Sequence, residues 1–127
     1  MNRYLLDTNI LIYYFNGEME SSVENKVSTL ITESFQISVI SKMEFLGFPF
    51  SLAEKKQAIQ LIEYATIIKL TDEIVQRVID IRQERRIKLP DAIIAATAIH
   101  HGAILVTRNT KDFKTLDLET YNPFDDN

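Results

Sequence analysis

Short apolar runs alternate with longer amphipathic stretches along most of the chain. The runs are only a few residues long, as at Tyr4–Leu6, and they indicate strands that are buried on both faces. In the longer stretches apolar residues recur every three or four positions, as at Ile74, Val78 and Ile81, which indicates helices. The pattern predicts strands at Tyr4–Leu6, Phe35–Val39, Thr66–Leu70 and Ala103–Val106. It predicts helices at Ile10–Phe15, Ser21–Ser34, Ser41–Leu46, Ala53–Tyr64 and Ala92–His101, a helix that Thr71-Asp72-Glu73 caps and that repeats Ile74, Val78 and Ile81, and one further helical turn at Asn109–Phe113.

Alternating strands and helices of this kind are typical of a parallel sheet that is covered by helices on both faces. We therefore predict an α/β fold with three layers, α/β/α, and a central parallel sheet of four to five strands. The 127 residues fit one domain, residues 1–127, and no linker or repeat interrupts them. In such folds ligands bind beyond the carboxyl ends of the strands, so functional residues are expected at that edge.

Composition excludes several classes of protein. The chain is 46% hydrophobic and 25% charged, as in ordinary globular domains. It has no cysteine, which excludes disulfides, thiolate metal sites and cysteine nucleophiles and fits a reducing cytoplasm. Asp7 and Asn9 interrupt the N-terminal apolar stretch, so it does not resemble a signal peptide, and no apolar run approaches the roughly 18–20 residues of a membrane span. We expect a soluble, cytoplasmic protein without a membrane partner.

Four acidic residues stand where the predicted fold brings them to one edge of the sheet. Asp7 directly follows the first strand, Glu44 lies in the helix after the second, Asp91 begins a helix after Pro90, and Asp112 lies beyond the fourth strand. Each has a structural explanation of its own: a helix N-cap, an exposed helix position, a charge at a helix N-terminus, or a turn. Their common location is harder to explain by structure alone.

Carboxylates gathered in one crevice repel each other. At an effective dielectric constant near 20, each pair about 5 Å apart costs roughly 3 kcal/mol. Such a cluster persists only with bound cations or with raised pKa values. Carboxylate oxygens, water and phosphate are the ligands of hard divalent cations, so the four residues indicate a site for a metal of this kind.

Four motifs carry a resemblance to a known family: Leu6-Asp7-Thr8-Asn9, Glu44 in the helix after the second strand, Leu89-Pro90-Asp91-Ala92-Ile93-Ile94-Ala95-Ala96, and Thr107-Arg108-Asn109 with Asp112-Phe113. In this order, and at this chain length, they resemble the signature of the PIN-domain nucleases. Among these nucleases the sequence is most similar to the VapC-type toxins of bacterial type II toxin–antitoxin systems.

The resemblance implies a PIN-like fold and Mg²⁺- or Mn²⁺-dependent endoribonuclease activity that hydrolyses RNA phosphodiester bonds. It implies Asp7, Glu44, Asp91 and Asp112 as the catalytic acids that bind metal. It also implies that Asn9, Thr107 and Asn109 line or brace the site. The family varies in which residue of the last motif binds metal, so Asn109 stays an alternative to Asp112. The resemblance does not decide whether the site holds one metal ion or two.

The resemblance further implies an antitoxin partner and a homodimer. The sequence itself does not identify either interface, although apolar residues at 10–15 and 45–50 are candidates. Tyr13, Tyr14 and Phe15 have aromatic rings that suit base stacking, but packing in the core or in a dimer is the more common role of such residues.

Basic residues are concentrated in one part of the chain. Residues 77–114 hold eight of the 14 basic residues and only four acids, so the net charge of −4 does not exclude an RNA partner. The spacing predicts that one helix face carries Arg82, Arg85 and Arg86, followed by Lys88, and that Arg108, Lys111 and Lys114 flank Asp112. These residues are candidates for binding RNA phosphates. A solvated helix face paired with Asp80 and Glu84 is the alternative for the first group.

Other chemistries fit less well. The chain has no glycine-rich phosphate loop, and Asn9 stands where a phosphatase of the haloacid dehalogenase type has a second Asp. A receiver domain needs an acidic pair after the first strand, which is missing. His100 and His101 are adjacent on a predicted helix and face different directions, which disfavours a zinc pair or a ribonuclease with two catalytic histidines. A PIN-like module that binds protein or RNA without catalysis is the main alternative function.

Overall fold

The computed structural model describes residues 2–125, which form five strands, six α-helices and one turn of 3₁₀ helix. Strands and helices alternate along most of the chain. In chain order the elements are β1 (Tyr4–Leu6), α1 (Thr8–Phe15), α2 (Ser21–Glu33), β2 (Gln36–Ser38), α3 (Val39–Leu46), α4 (Leu52–Glu63), β3 (Thr66–Ile68), α5 (Asp72–Glu84), α6 (Leu89–His101), β4 (Ile104–Val106), the 3₁₀ turn (Thr110–Phe113) and β5 (Thr120–Tyr121).

The strands form one parallel sheet in the order β3-β2-β1-β4-β5. β1 lies at the centre, where Leu5 is opposite Gln36 of β2 on one side and Leu105 of β4 on the other. The chain enters its first helix directly after β1, so the side chain of Asp7 lies at the carboxyl edge of the sheet. The predicted parallel α/β sheet is confirmed.

Helices cover both faces of the sheet, because neighbouring residues of a strand point to opposite sides. Leu6 of β1 packs into one core and Leu5 into the other, and both are fully buried. The first core takes residues from α1, α2, α3 and α4, whereas the second takes residues from α6 and the 3₁₀ turn. α5 packs on the outer side of α6 through Ile74 and Val78. This arrangement confirms the predicted α/β/α layers.

Two element boundaries differ from the prediction at the start of α3. Val39 was predicted to end the second strand, but it begins the helix. The hydroxyl of Ser38 accepts the backbone N–H of Ser41 at 3.2 Å, which is the bond that an N-cap serine makes at a helix start. The N-cap is therefore Ser38, and Ser41, which was predicted to open the helix, lies within its first turn.

The prediction that Arg82, Arg85 and Arg86 share a helix face is wrong, because α5 ends at Glu84. Arg85 has an extended backbone, with φ −156° and ψ 159°, so the chain leaves the helix axis there. Its guanidinium donates to the backbone carbonyl and the hydroxyl of Thr115, and these bonds turn the side chain away from the helix.

The fifth strand, Thr120–Tyr121, pairs with β4. The prediction of four to five strands included it but did not locate it, because two residues with a polar Thr form no apolar run. None of the helices in the part of the chain that the structure describes is long and apolar enough to cross a bilayer.

Candidate active site

Asp7 is buried at the end of the central strand and is held by two hydrogen bonds. Its Oδ1 accepts the backbone N–H of Thr8 at 2.7 Å, and its Oδ2 accepts the hydroxyl of Thr107 at 2.8 Å. The pKa of Asp7 is raised from 3.8 to about 6, mainly by burial and in smaller part by the charges of Asp91 and Glu44, against the lowering effect of these two bonds. Asp7 is thus both the N-cap of α1 and an acid with a raised pKa near two other carboxylates.

Glu44 reaches the same place from α3. The hydroxyl of Thr8 donates to Glu44 Oε1 at 2.6 Å and lies 3.0 Å from the hydroxyl of Ser41. Thr8 is therefore bonded to Asp7 through its backbone and to Glu44 through its side chain. This pair of bonds couples the start of α1 to α3 and sets the two carboxylates beside each other.

Asp91 lies in the first turn of α6, after Pro90, and is half-buried. Its own burial raises its pKa, the charges of Asp112 and Glu44 raise it further, and that of Lys88 lowers it. The charge of Asp91 therefore interacts with an acid of α3 and with an acid of the 3₁₀ turn. Asp7, Glu44, Asp91 and Asp112 are therefore near enough for their charges to act on one another.

Asp112 and Asp91 share a cleft of about 420 Å³. Three cations line the same cleft with them, namely Arg86, Lys88 and Lys111. A cleft that carries both carboxylates and cationic side chains suits a phosphate that a metal ion joins to the carboxylates.

Thr107, Asn109 and Asn9 occupy different positions around this site. Thr107 is fully buried, and besides donating to Asp7 it accepts the backbone N–H of Asn109 at 3.0 Å. Thr107 thus braces both Asp7 and the chain that leads to Asp112. Asn109 and Asn9 are exposed, and the described hydrogen bonds include none from their side chains. Asp112, unlike Asn109, acts on Asp91 through its charge.

The acids fit a hard divalent cation by their chemistry, although they do not form a closed cage. Within residues 2–125, no group of three or more His, Asp or Glu side chains is close enough to hold a metal ion on its own. Mg²⁺ keeps several waters and is often bound through one or two carboxylates with substrate phosphate, so an open arrangement suits it. The raised pKa values of Asp7 and Asp91 reflect in part repulsion that a cation would relieve.

The basic residues proposed for RNA binding are not equivalent. Arg82 donates to the carbonyl of Ile87, and Arg85 is held by Thr115. Arg108 is exposed, with its guanidinium 4.4 Å from the ring centroid of Phe124 and 5.1 Å from that of Tyr13. Arg86 and Lys111 line the cleft beside the acids. The cations nearest to the acids therefore come from the α5–α6 connection and the 3₁₀ turn.

The aromatic residues of α1 serve mainly in packing. The ring of Phe15 makes edge-to-face contacts with Phe45 and Phe50, with centroids 5.5 and 5.0 Å apart. The hydroxyl of Tyr14 is hydrogen-bonded to that of Ser28 at 3.1 Å. These contacts are internal, but of the two apolar stretches considered as interfaces only Ile10, Leu11 and Phe45 are buried, and Phe48 is 37% exposed.

Sequence reasoning did not identify Thr8 and Ser41 as members of the site. Thr8 was noted only as part of a motif and a helix start, yet its hydroxyl bonds Glu44, a residue of another helix. Its position directly after Asp7 was the available signal. His100 and His101 lie in the last turn of α6, at the opposite end from Asp91, as expected for residues outside the site.

Comparisons with known proteins match this geometry to one family. The profile of the PIN domain matches residues 4–118. Among solved structures, the chain is similar to a toxin–antitoxin complex from Klebsiella pneumoniae, with 33% identity over 96% of this chain and 98% of the other and a TM-score of 0.78. It is also similar to VapBC2 from Rickettsia felis bound to a promoter DNA fragment, with 25% identity, coverage of 94% and 97% and a TM-score of 0.79.

A third similar structure is VapBC-1 from nontypeable Haemophilus influenzae, with 25% identity over 96% of this chain and 98% of the other and a TM-score of 0.77. No curated protein matched the sequence significantly. The three structural similarities extend over nearly the whole chain.

Proposed function

Because the chain belongs to the PIN domain family, in its VapC-type branch, we propose that it is a metal-dependent endoribonuclease that hydrolyses RNA phosphodiester bonds. We propose further that it is the cytoplasmic toxin of a toxin–antitoxin pair and folds as a single domain. The observation that supports catalysis most directly is the placement of Asp7, which is buried at the end of the central strand and held there by Thr107. A buried carboxyl with a pKa of about 6, raised in part by Asp91 and Glu44, is a costly feature that a binding surface does not need.

The residues of the chain have distinct roles in this proposal. Asp7 and Asp91 bind the cation, Glu44 and Asp112 complete the negative site, and Mg²⁺ or Mn²⁺ when bound supplies positive charge for the phosphate and an acidified water. Thr107 holds Asp7 in one orientation, and Thr8 holds Glu44 against it. Arg86, Lys88 and Lys111 bind the flanking phosphates.

The decisive experiment is an RNA cleavage assay of the purified protein. A panel of transfer, ribosomal and messenger RNA is incubated with Mg²⁺, with Mn²⁺ or with EDTA, and the Asp7→Asn variant is the matched control. We expect cleavage with either metal, none in EDTA and a loss of at least about a hundredfold in the variant. Equal cleavage in EDTA, or by the variant, would show that this site does not carry the activity.

An antitoxin partner and a homodimer are part of the same proposal. The similar structures from Klebsiella pneumoniae, Rickettsia felis and Haemophilus influenzae are described as a toxin–antitoxin complex or as VapBC proteins. We expect the protein to copurify with the product of a neighbouring gene, and we expect that product to inhibit cleavage. Light scattering of the isolated chain at increasing concentration tests the dimer.

A PIN-like module without catalysis is the second candidate function. It is favoured by the absence, among residues 2–125, of three acids close enough to hold a metal by themselves. Titration calorimetry with Mg²⁺ and Mn²⁺ distinguishes the two candidates. Binding that is weakened in Asp7→Asn supports the nuclease, whereas no binding of either cation supports the module.

A further inference from the structure

A second cleft, of about 870 Å³, lies where α5 ends and α6 begins. It is formed by the last turns of α5, the connecting residues 85–88 and the first residue of α6. The residues that line it are Val78, Ile79, Arg82, Gln83, Arg85, Arg86, Ile87, Lys88 and Leu89.

The lining combines positive charge with exposed apolar surface. Four of the nine lining residues are cationic, and no carboxylate lines the cleft. Of the nearby acids of α5, Asp80 accepts from Gln76, and Glu84 pairs with Arg85 at 3.4 Å and offsets part of its charge. Arg82, Arg86 and Lys88 leave the lining with a positive charge, which attracts anions.

Apolar side chains form the rest of this surface. Ile79 is 44% exposed and Leu89 is 47% exposed, and Ile87 lies between the two helices. Proteins that bind single-stranded nucleic acid combine a positively charged groove for the phosphates with side chains, usually aromatic, against which the bases pack. In this cleft aliphatic side chains take that place. A protein partner that covers this cleft would need acidic residues to match it.

The second cleft adjoins the cleft of the acids. Arg86, Ile87 and Lys88 line both clefts, whereas Asp91 and Asp112 line only the cleft of the acids. The second cleft is therefore a neighbouring surface for a strand whose phosphate lies at the acids.

We propose that the second cleft binds the unpaired RNA strand on one side of the scissile phosphate. Its bases contact Ile79, Ile87 and Leu89, and its phosphates contact Arg82 and Arg86. This inference rests on the proposed nuclease function and adds to it the place where the flanking nucleotides bind. Because these contacts do not read base edges, they give affinity for an unpaired strand rather than for one sequence.

Introducing opposite charges at Ile79 tests which ligand occupies the cleft. Ile79→Glu and Ile79→Lys both remove an exposed apolar side chain, but only an anionic ligand distinguishes between the two. With a fluorescent oligouridine, we expect binding to weaken about threefold in the Glu variant and to strengthen about threefold in the Lys variant, the effect of a unit charge some 6 Å from a phosphate in water. Ile59, which is also 44% exposed but lies on α4 outside the cleft, gives the matched pair Ile59→Glu and Ile59→Lys. That pair should show smaller changes.

Photo-crosslinking locates the strand directly. An oligouridine that carries thiouridine is crosslinked to the wild-type protein, and the modified peptides are identified by mass spectrometry. We expect crosslinks within residues 78–89. Crosslinks elsewhere, with RNA cleavage intact, would overturn the cleft proposal and leave the nuclease proposal standing.

Two further outcomes would also contradict the proposal. If both Ile79 variants weaken binding equally, or if both lower the molecular mass measured by light scattering, the cleft belongs to a second copy of the chain. If the wild-type protein neither binds nor cleaves any RNA, the proposed function fails together with this inference. Since the Lys variant is expected to gain affinity, a folding defect cannot be mistaken for the expected result.

Discussion

Asp7 meets two demands that usually fall on different residues. As the N-cap of α1 it accepts the N–H of Thr8, and as an acid at the sheet edge it lies near two other carboxylates. A helix N-cap alone contributes about 1 kcal/mol and does not require burial. Helix capping therefore does not explain why this carboxyl is buried. The free-energy cost of burying it should lower the stability of the metal-free protein.

The first prediction concerns the pH dependence of that stability. The pKa of Asp7 is raised in the folded state from 3.8 to about 6, so its contribution is fully present below about pH 4 and is lost as the pH rises through about 6. The shift corresponds to about 3 kcal/mol at neutral pH. We expect Asp7→Asn, which cannot ionise, to avoid this loss in EDTA.

Urea unfolding of both proteins between about pH 4 and pH 7.5 measures the difference. The free energy of unfolding of the Asn variant should exceed that of the wild type by an amount that grows with pH. The exposed Asp117→Asn serves as the control, with no such trend expected. A gap between Asp7→Asn and the wild type that is constant with pH would contradict the assignment of the raised pKa to Asp7.

The second prediction concerns Thr107. Its buried hydroxyl donates to Asp7 and accepts the N–H of Asn109, so Thr107→Val leaves both partners unsatisfied at nearly constant volume. We expect a loss of about 1–3 kcal/mol in stability. Because the Thr107 hydrogen bond lowers the pKa of Asp7, we also expect the rising limb of the pH–cleavage profile to move to higher pH.

Thr107→Ser is the matched control, because it keeps the hydroxyl and removes only a methyl group. It should restore the position of the pH–cleavage profile even if some stability is lost. If the Val and Ser variants shift the profile equally, the methyl group and not the hydrogen bond is responsible.

At the scale of the elements, the sequence predicted most helices and strands because their apolar periodicity is strong. The end of α5 was missed for a physical reason. Arginine has a good helix propensity, and no glycine or proline follows until Pro90, so nothing local stops the helix at Glu84. The helix ends there where Arg85 bonds Thr115, a residue 30 positions away. Tertiary contacts of this kind are not visible in local sequence.

The site was predictable to a similar degree. Asp7 and Asp91 follow from chain order, since parallel strands bring their carboxyl ends to one edge. The bond between Thr8 and Glu44 joins residues 36 positions apart and depends on the orientation of α3, which Ser38 sets as its N-cap. The edge of the sheet at which Asp7 lies could therefore be predicted, but the hydrogen bonds that Thr8 and Thr107 make to the acids could not.

The third prediction concerns the C-terminus of α6, the helix that carries Asp91. Gly102 adopts a left-handed conformation with φ 61°, which residues with a Cβ disfavour by about 1–2 kcal/mol. We expect Gly102→Ala to destabilise the protein by about 1 kcal/mol and Gly102→Asn by less, since Asn tolerates this conformation. Thermal unfolding measures both. RNA cleavage below the melting temperature should be unchanged, because Asp91 lies at the other end of the helix, and a loss of cleavage in the stable Asn variant would contradict this separation.

For the whole molecule, the distribution of charge matters more than its sum. The net charge is −4, but four of the acids are assigned to one site in the proposed function, and eight of the 14 basic residues lie within residues 77–114. Arg86, Lys88 and Lys111 from this segment line the cleft of Asp91 and Asp112. An acidic protein can therefore present a mainly basic surface to RNA, provided that a cation neutralises the acids.

The last prediction tests this balance through Asp91→Asn. Burial raises the pKa of Asp91, and so does repulsion by the charges of Asp112 and Glu44. The Asn variant removes both penalties, because a neutral amide costs less to bury than a carboxylate and is not repelled by the other acids. We therefore expect the metal-free variant to melt a few degrees higher than the wild type at neutral pH. A cation that binds only the folded state stabilises it in proportion to its affinity, so the rise in melting temperature with Mg²⁺ should be smaller in the variant. A lower melting temperature in EDTA would mean that the favourable charge at the N-terminus of α6 outweighs the repulsion, and an unchanged response to Mg²⁺ would remove Asp91 from the metal site.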